Sequence, residues 1–150
     1  MPIPGHFRLS ARASTMRAGP QNAESSKRPH VLVVDDVRAI VEVVCEVLLG
    51  DGFTVESTTD ATEALAWLTQ RPQAFDAIVS DLDMPHMTGT VLLQRARQAG
   101  FSGKTVIHSG SLTEADDAEL DRVADAVVEK PFATRVLAPT LRKLLTGLGP

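Results

Sequence analysis

Ala77-Ile78-Val79-Ser80-Asp81-Leu82-Asp83-Met84-Pro85-His86-Met87-Thr88-Gly89 sets the architecture expected of the whole chain. An apolar run passes through Ser80 into Asp81, the pattern of a buried strand that ends at a carboxylate. A charge is costly in that position. In an open α/β sheet the same position is the rim where ligands bind. The only other run of this quality, Val31-Leu32-Val33-Val34, is followed by Asp35 and Asp36. If the two strands lie parallel and adjacent, three acids converge on one spot. At ~4 Å in an effective dielectric of ~20, each like-charged pair repels by about 4 kcal/mol. Such a site calls for a cation.

The chain has 150 residues, enough for one domain with a proper core. Hydrophobic content of 43% and a mean hydropathy near zero are those of an ordinary soluble globule. No apolar run approaches the ~20 residues of a membrane span. Five Phe, one Trp and no Tyr are few for a protein that stacks on single-stranded bases. The lone Cys45 has no internal disulfide partner and falls at helical spacing among apolar residues, so it reads as a buried thiol in a reducing cytoplasm. Residues 1–30 carry Arg8, Arg12, Arg17, Lys27 and Arg28 against Glu24 alone, so the acidity lies in the remainder. An acidic body argues against sequence-independent DNA binding by the domain.

Residues 1–29 show no helical or strand periodicity and are rich in Ala, Ser, Gly, Pro and Arg, which predicts a flexible basic extension. The same composition is compatible with an organelle transit peptide, or with translation beginning later, at Met16. From His30 the pattern changes, and residues 30–148 read as one domain. Strands are predicted at Val31–Val34, Phe53–Ser57, Ala77–Ser80, Thr105–His108 and Ala126–Val128, the second being more polar and therefore at an edge. Helices are predicted over Val37–Leu49, over Ala61–Thr69 behind an Asp60 cap, and over Thr88–Ala99. Ser111-x-x-Glu114 has the form of a capping box opening an acidic helix to about Ala124, and the last helix runs from about Thr134 to Leu145. Pro139 should kink that helix or break its first turn. Five strands alternating with five helices at short loop lengths mean a parallel sheet with right-handed crossovers and helices on both faces.

Asp35-Asp36, Asp81, Ser109 and Lys130 each fall directly after a strand, so all lie at one rim of such a sheet. Taken singly, each has a structural explanation: Asp and Ser after strands cap helices, and a Lys before Pro is commonly a solvated loop charge. Three acids, a hydroxyl and an amine drawn from four strands do not gather for packing reasons. His86 lies in the loop after Asp81, close enough to influence water access there, and His108 ends a strand and reads as structural. Neither has a His or Cys partner at metal-ligand spacing, and Met84 and Met87 read as loop packing.

The constellation resembles the receiver domain of two-component response regulators. The marks are Val33-Val34-Asp35-Asp36, Asp81-Leu82-Asp83-Met84-Pro85-His86-Met87-Thr88-Gly89, Ser109-Gly110 and Lys130-Pro131-Phe132, and the likeness covers about residues 30–146. It implies a flavodoxin-like (βα)5 doubly wound sheet in the strand order 2-1-3-4-5. It implies that Asp81 takes a phosphoryl group from the phosphohistidine of a histidine kinase or histidine phosphotransfer protein. It further implies Mg²⁺ held by Asp36, Asp81 and the Asp83 backbone carbonyl, with Asp35 acting through water. Lys130 would pair with a phosphoryl oxygen and Ser109 would donate a hydrogen bond to another. Pro131 permits the cis bond the family has at this place. Such a chain is not an enzyme on other substrates; it catalyses only its own phosphorylation and dephosphorylation. With no DNA-binding domain in the sequence, the expected output is contact with a downstream target protein, or phosphate shuttling, by a cytoplasmic monomer or weak dimer. The family's aromatic three residues before the Lys is here Val127, so the usual inward-turning ring is missing.

Three rival readings share parts of this pattern. A receiver-like module could bind partners without phosphorylation. Asp81-Leu82-Asp83 fits the DxD of haloacid-dehalogenase-type phosphatases, but those carry it after the first strand and follow it closely with Thr or Val, where this chain has Met84-Pro85. A flavodoxin-like FMN carrier would need a hydroxyl- and Gly-rich loop after the first strand, where Asp35-Asp36 would repel the phosphate.

Overall fold

The computed structural model describes residues 7–9, 28–110, 112, 117–131 and 134–147. In chain order these form β1 (Phe7–Leu9), β2 (His30–Val34), α1 (Arg38–Gly50), β3 (Thr54–Thr58), α2 (Ala61–Gln70) and β4 (Ala77–Ser80). There follow α3 (Gly89–Gln98), β5 (Lys104–Ser109), α4 (Asp117–Val123), β6 (Ala126–Glu129), a 3₁₀ turn (Thr134–Val136) and α5 (Leu137–Thr146). The sheet order is β1-β6-β5-β4-β2-β3. Strands β2 to β6 are mutually parallel, and counted among themselves they stand in the predicted order 2-1-3-4-5.

The buried strands explain why the apolar runs are continuous. Leu32 and Val34, with Ile78, Ile107 and Val127, face a layer built from Ala64 and Leu68 of α2, Leu92 and Ala96 of α3 and Leu120 of α4. Val31 and Val33, with Val79, Val106 and Val128, face Val44 and Leu48 of α1 and Leu137 and Leu141 of α5. Successive strand residues point to opposite faces, so a sheet covered on both sides needs apolar residues at every position. β3 is partly exposed throughout most of its length and lies at the sheet's edge, as its polar sequence requires.

Helix ends follow their local chemistry. The Asp60 carboxylate accepts from Thr62 N at 2.9 Å to start α2, and Thr88 Oγ1 accepts from Val91 N at 3.2 Å to start α3. Pro139 falls in the first turn of α5, where its missing N–H leaves no intrahelical bond unmade, and the 3₁₀ turn precedes it. The expected broken first turn corresponds to this 3₁₀ turn ahead of the helix. The Ser111-x-x-Glu114 capping box lies outside the described residues, as does Phe132.

One element departs from the sequence reading. Residues 7–9, placed by composition in an extension without strand periodicity, pair antiparallel with β6 in the register Phe7↔Val128, Arg8↔Val127 and Leu9↔Ala126. Three residues are too few for periodicity to register. The rest of the segment before Arg28 lies outside the described residues. Among the described residues no helix is long and apolar enough to cross a membrane.

Two buried polar groups tie the last strands together. Asp125, fully buried, accepts from Thr105 N at 2.9 Å through Oδ2, and Thr105 Oγ1 donates to the Val123 carbonyl at 2.9 Å. The Arg97 guanidinium stands 3.7 Å from the same carboxylate. His108 is buried on β5, and its Nε2 is 3.0 Å from Thr134 Oγ1. Burial, reinforced by the Lys130 ammonium, lowers the His108 pKa to about 4.

Asp125→Ala leaves the Thr105 N–H without its carboxylate and should lower stability by about 1–3 kcal/mol in a urea titration. His108 folds neutral while the unfolded chain takes up a proton near pH 6.5, so the unfolded state binds more protons between there and pH 4. The His108 contribution to stability should therefore fall as pH drops through that window and level off below it. His108→Gln should remove that contribution, so the difference in melting temperature between the variant and the unsubstituted chain should change through the window, and a constant difference would contradict the assignment.

Candidate functional site

The C-terminal ends of the central strands set the site. Val34 and Ser80 are register partners, and Asp81 N donates to the Val34 carbonyl at 2.9 Å, so Asp35 and Asp81 leave adjacent strands side by side. One carboxylate oxygen each of Asp35, Asp36 and Asp81 lies within 4.8 Å of the others. At that separation and an effective dielectric of ~20, each ionised pair repels by about 3–4 kcal/mol.

The acids differ in what holds them. Asp35 is buried; its Oδ1 accepts from Val37 N at 2.9 Å, an Asx turn that leads into α1. Its Oδ2 accepts from Lys130 Nζ at 2.6 Å. Asp36 is exposed. Asp81 is buried; its Oδ1 accepts from Leu82 N at 2.8 Å and stands 3.4 Å from Lys130 Nζ. Burial first, and the Asp35 carboxylate second, raise the Asp81 pKa to about 6, against the pull of Lys130 and the Leu82 N–H. One amine thus faces two carboxylates, and among the described residues the three acids have this one ammonium as an ion-pair partner.

The amine is brought there by β6. Lys130 follows its last residue, and Lys130 N donates to the Ser109 carbonyl at 3.0 Å, which sets Ser109 beside the root of the lysine. Ser109 is buried and ends β5. The Lys130–Pro131 peptide bond is cis. Asp83 lies exposed on the loop two residues after Asp81, outside the group of three carboxylates.

The loop that carries Asp81 is held from behind. Gly89 N donates to the Leu82 carbonyl at 2.8 Å, and a Cβ at Gly89 would stand 2.2 Å from the Asp81 carbonyl oxygen. Only glycine lets α3 start so close to the acid. Met87 and Leu82 are buried against the α2–α3 layer, as the loop-packing reading of the methionine required. His86 is exposed with φ 71°, a left-handed conformation uncommon outside glycine in which Asn, Asp and His are enriched. Val127 is buried in the same core layer as Leu120 and Ala124, so a small aliphatic stands in the place of the aromatic.

The structure brings together Asp35, Asp36, Asp81 and Lys130, and seats Ser109 next to the lysine by a backbone bond. Sequence reading missed Asp125 and the cluster of His30, Glu56 and Arg71, which sits at the opposite end of the sheet. There His30 Nε2 and Arg71 Nη2 flank the Glu56 carboxylate at 2.7 and 2.8 Å, and hold its pKa down at about 2, the Arg71 hydrogen bond being the main cause. No spacing rule links residues 30, 56 and 71; the β2–β3 register and the return of α2 bring them together.

The oxygen-only set suits a hard cation, since three close carboxylates and one ammonium leave negative charge uncompensated. The profile of the response regulator receiver domain matches residues 31–142. The response regulator MprA of Mycobacterium ulcerans is 36% identical over 121 residues, which are 77% of this chain and 49% of that protein. The sensor histidine kinase RcsC of Salmonella typhimurium is 30% identical over 132 residues, 87% of this chain and 14% of the kinase. The chain thus spans about half of the first relative and a small part of the second. Among solved structures, a CheY-like receiver domain protein from Methanospirillum hungatei superposes with a TM-score of 0.72 at 28% identity, covering 79% of this chain and 94% of that one. The chemotaxis protein CheY4 of Vibrio cholerae gives 0.71 at 30%, covering 79% and 100%. The order of the parallel strands, the three aspartates at their ends and the family profile agree: this chain belongs to the response regulator receiver domains of two-component signalling.

Proposed function

We propose that Asp81 is the phosphoacceptor of this receiver, taking its phosphoryl group from a phosphohistidine of a histidine kinase or histidine phosphotransfer protein. The observation that carries this reading is the placement of Asp81. It is buried, bordered by two more carboxylates, and reached by one amine at 3.4 Å. An Asp81 oxygen would attack phosphorus in line as the phosphorus–nitrogen bond to the imidazole breaks. The imidazole keeps the electron pair and takes up a proton. Unlike a serine, the carboxylate needs no base to become a nucleophile.

In this reading Asp36 and Asp81 ligate Mg²⁺ directly, Asp35 acts through water, and the Asp83 backbone carbonyl adds a ligand. Bound there, the ion would neutralise charge on the phosphoryl oxygens. Lys130 would leave part of its hold on Asp35 and Asp81 to pair with a phosphoryl oxygen. Ser109, at the root of the lysine, would donate its hydroxyl to another. The added dianion would draw the segment after β5 inward, a population shift that needs only a few kcal/mol of differential contact. The downstream effect would be altered protein contact or transfer of the phosphoryl group onward, and the chain would turn over no substrate beyond its own acyl phosphate. We place residues 30–148 in the receiver domain and its work in the cytoplasm.

Val127 favours a second reading, a receiver that binds partners without phosphorylation, because the aromatic of the usual switch is missing. The intact acid set and the lysine contact argue for the first. A phosphatase of the haloacid dehalogenase type fits less well, since Asp81 follows the third parallel strand rather than the first.

Incubated with acetyl phosphate and Mg²⁺, the chain should gain the mass of one phosphoryl group in intact-protein mass spectrometry. Asp81→Asn should abolish the gain, and chelation with EDTA should suppress it in the unsubstituted chain. No gain with acetyl phosphate or with a cognate kinase would exclude the acceptor role and leave the phosphorylation-independent reading.

A further inference from the structure

A cleft between α3 and α4 shares no residue with the acidic site and takes no part in the phosphoacceptor reading. It encloses about 470 Å³, within the range of small-ligand sites. Leu93, Gln94, Arg97 and Gln98 of α3 form one wall, and Arg122 and Val123 of α4 form the other. Residues 94 and 98 are one helical turn apart, as are 93 and 97, so the α3 wall is one continuous face. Leu93 and Val123 are buried and make its floor, while Gln94, Gln98 and Arg122 are exposed and make its rim.

The two guanidinium groups of the cleft are in different situations. Arg97 is already held. Its Nη1 donates to the Phe101 carbonyl at 3.1 Å, its guanidinium lies over the Phe101 ring at 5.3 Å, and Nη2 stands 3.7 Å from the buried Asp125 carboxylate. The charge of Arg97 is thus offset, and its plane is fixed. Arg122 has no such counterpart: among the described residues no carboxylate lies within ion-pair distance of it. Counted with Asp125, the cleft keeps one positive charge, on a chain whose net charge is −4. An exposed Arg by itself is solvated and implies no ligand. Arg122 differs because it rims a cleft whose facing wall offers two side-chain amides and whose floor is apolar.

We propose that this cleft binds a small organic carboxylate, with the anionic group on Arg122 and the apolar body over Leu93 and Val123. One surplus guanidinium matches a single negative charge, and its planar fork matches the two oxygens of a carboxylate. The amide N–H groups of Gln94 and Gln98 supply further donors from the facing wall. A few polar groups around an apolar floor is the usual division of labour in a small-ligand site, the polar groups fixing orientation. A phosphate dianion fits less well, because the Asp125 carboxylate beside Arg97 repels the second charge. A neutral ligand of the same shape leaves Arg122 without a counter-charge. This inference is independent of the phosphoacceptor reading, since none of Asp35, Asp36, Asp81, Ser109 and Lys130 lines the cleft.

The probe is sodium benzoate, titrated into the ¹⁵N-labelled full chain, with benzamide as the neutral isostere and inorganic phosphate as the second anion. Benzoate should shift the amides of residues 93–98 and 122–124 along one saturable curve, while benzamide and phosphate leave them in place at the same concentrations. Arg122→Gln should weaken the benzoate curve about tenfold, the loss of one charge-assisted bond. Arg122→Lys, which keeps the charge without the fork, should weaken it less. Arg122 is exposed, so neither substitution removes a buried contact, and circular dichroism checks the fold of both. The benzoate and benzamide arms use the unsubstituted chain and stand without either variant. No saturable shift with benzoate, an equal shift with benzamide or phosphate, or shifts centred on residues 35–37 and 81–83 would each overturn the inference. So would an Arg122→Gln curve that coincides with that of the unsubstituted chain.

Discussion

Three carboxylates and one ammonium share the end of the sheet, and the charge they leave over is the constraint on which the molecule's chemistry depends. Lys130 is bonded to Asp35 at 2.6 Å and stands 3.4 Å from Asp81, so it cannot satisfy both acids equally, and Asp36 remains exposed beside them. Removing charges from water without full pairing is expensive. The raised Asp81 pKa reports that expense, with burial as its main source and the neighbouring acid as its second. A group held in such tension responds to any added charge. A cation relieves the repulsion among the acids, and a dianion competes with them for the amine.

The scaffold serves that arrangement by being rigid where it must be. Strands β2 and β4 are covered on both faces, so their register is fixed by apolar residues at every position and cannot slip without exposing a core. That register is what sets Asp35 beside Asp81. Behind the acids, Gly89 lets the start of α3 approach the Asp81 backbone more closely than any side chain would allow. On the far side, the bond from Lys130 N to the Ser109 carbonyl fixes where the lysine side chain begins.

Much of this was legible in the sequence because the signals are local. Val31–Val34 and Ala77–Ser80 are continuous apolar runs, and a carboxylate directly after each gives the site away. Asp60 and Thr88 announce their helices by capping them. What escaped the sequence depends on pairing between distant residues. Asp125 is a lone acid in an ordinary loop until β5 is laid beside it, when it becomes the acceptor for Thr105 N. His30 and Arg71 meet Glu56 only through the β2–β3 register and the return of α2. Strand β1 is three residues inside a segment whose composition argues against structure, and its partner is the distant strand β6. Val127 was visible as a departure from the family. It is buried in the same core layer as Leu120 and Ala124.

Whether Asp35, Asp36 and Asp81 act as one cation site can be read by adding substoichiometric Mn²⁺ to the ¹⁵N-labelled chain and following which amide signals broaden. The amides of residues 35–37 and 81–83 should be lost first and together, with Mg²⁺ in excess restoring them. Broadening that begins elsewhere, as at Glu119 and Asp121 on α4, or that spreads evenly over the acidic surface, would contradict it.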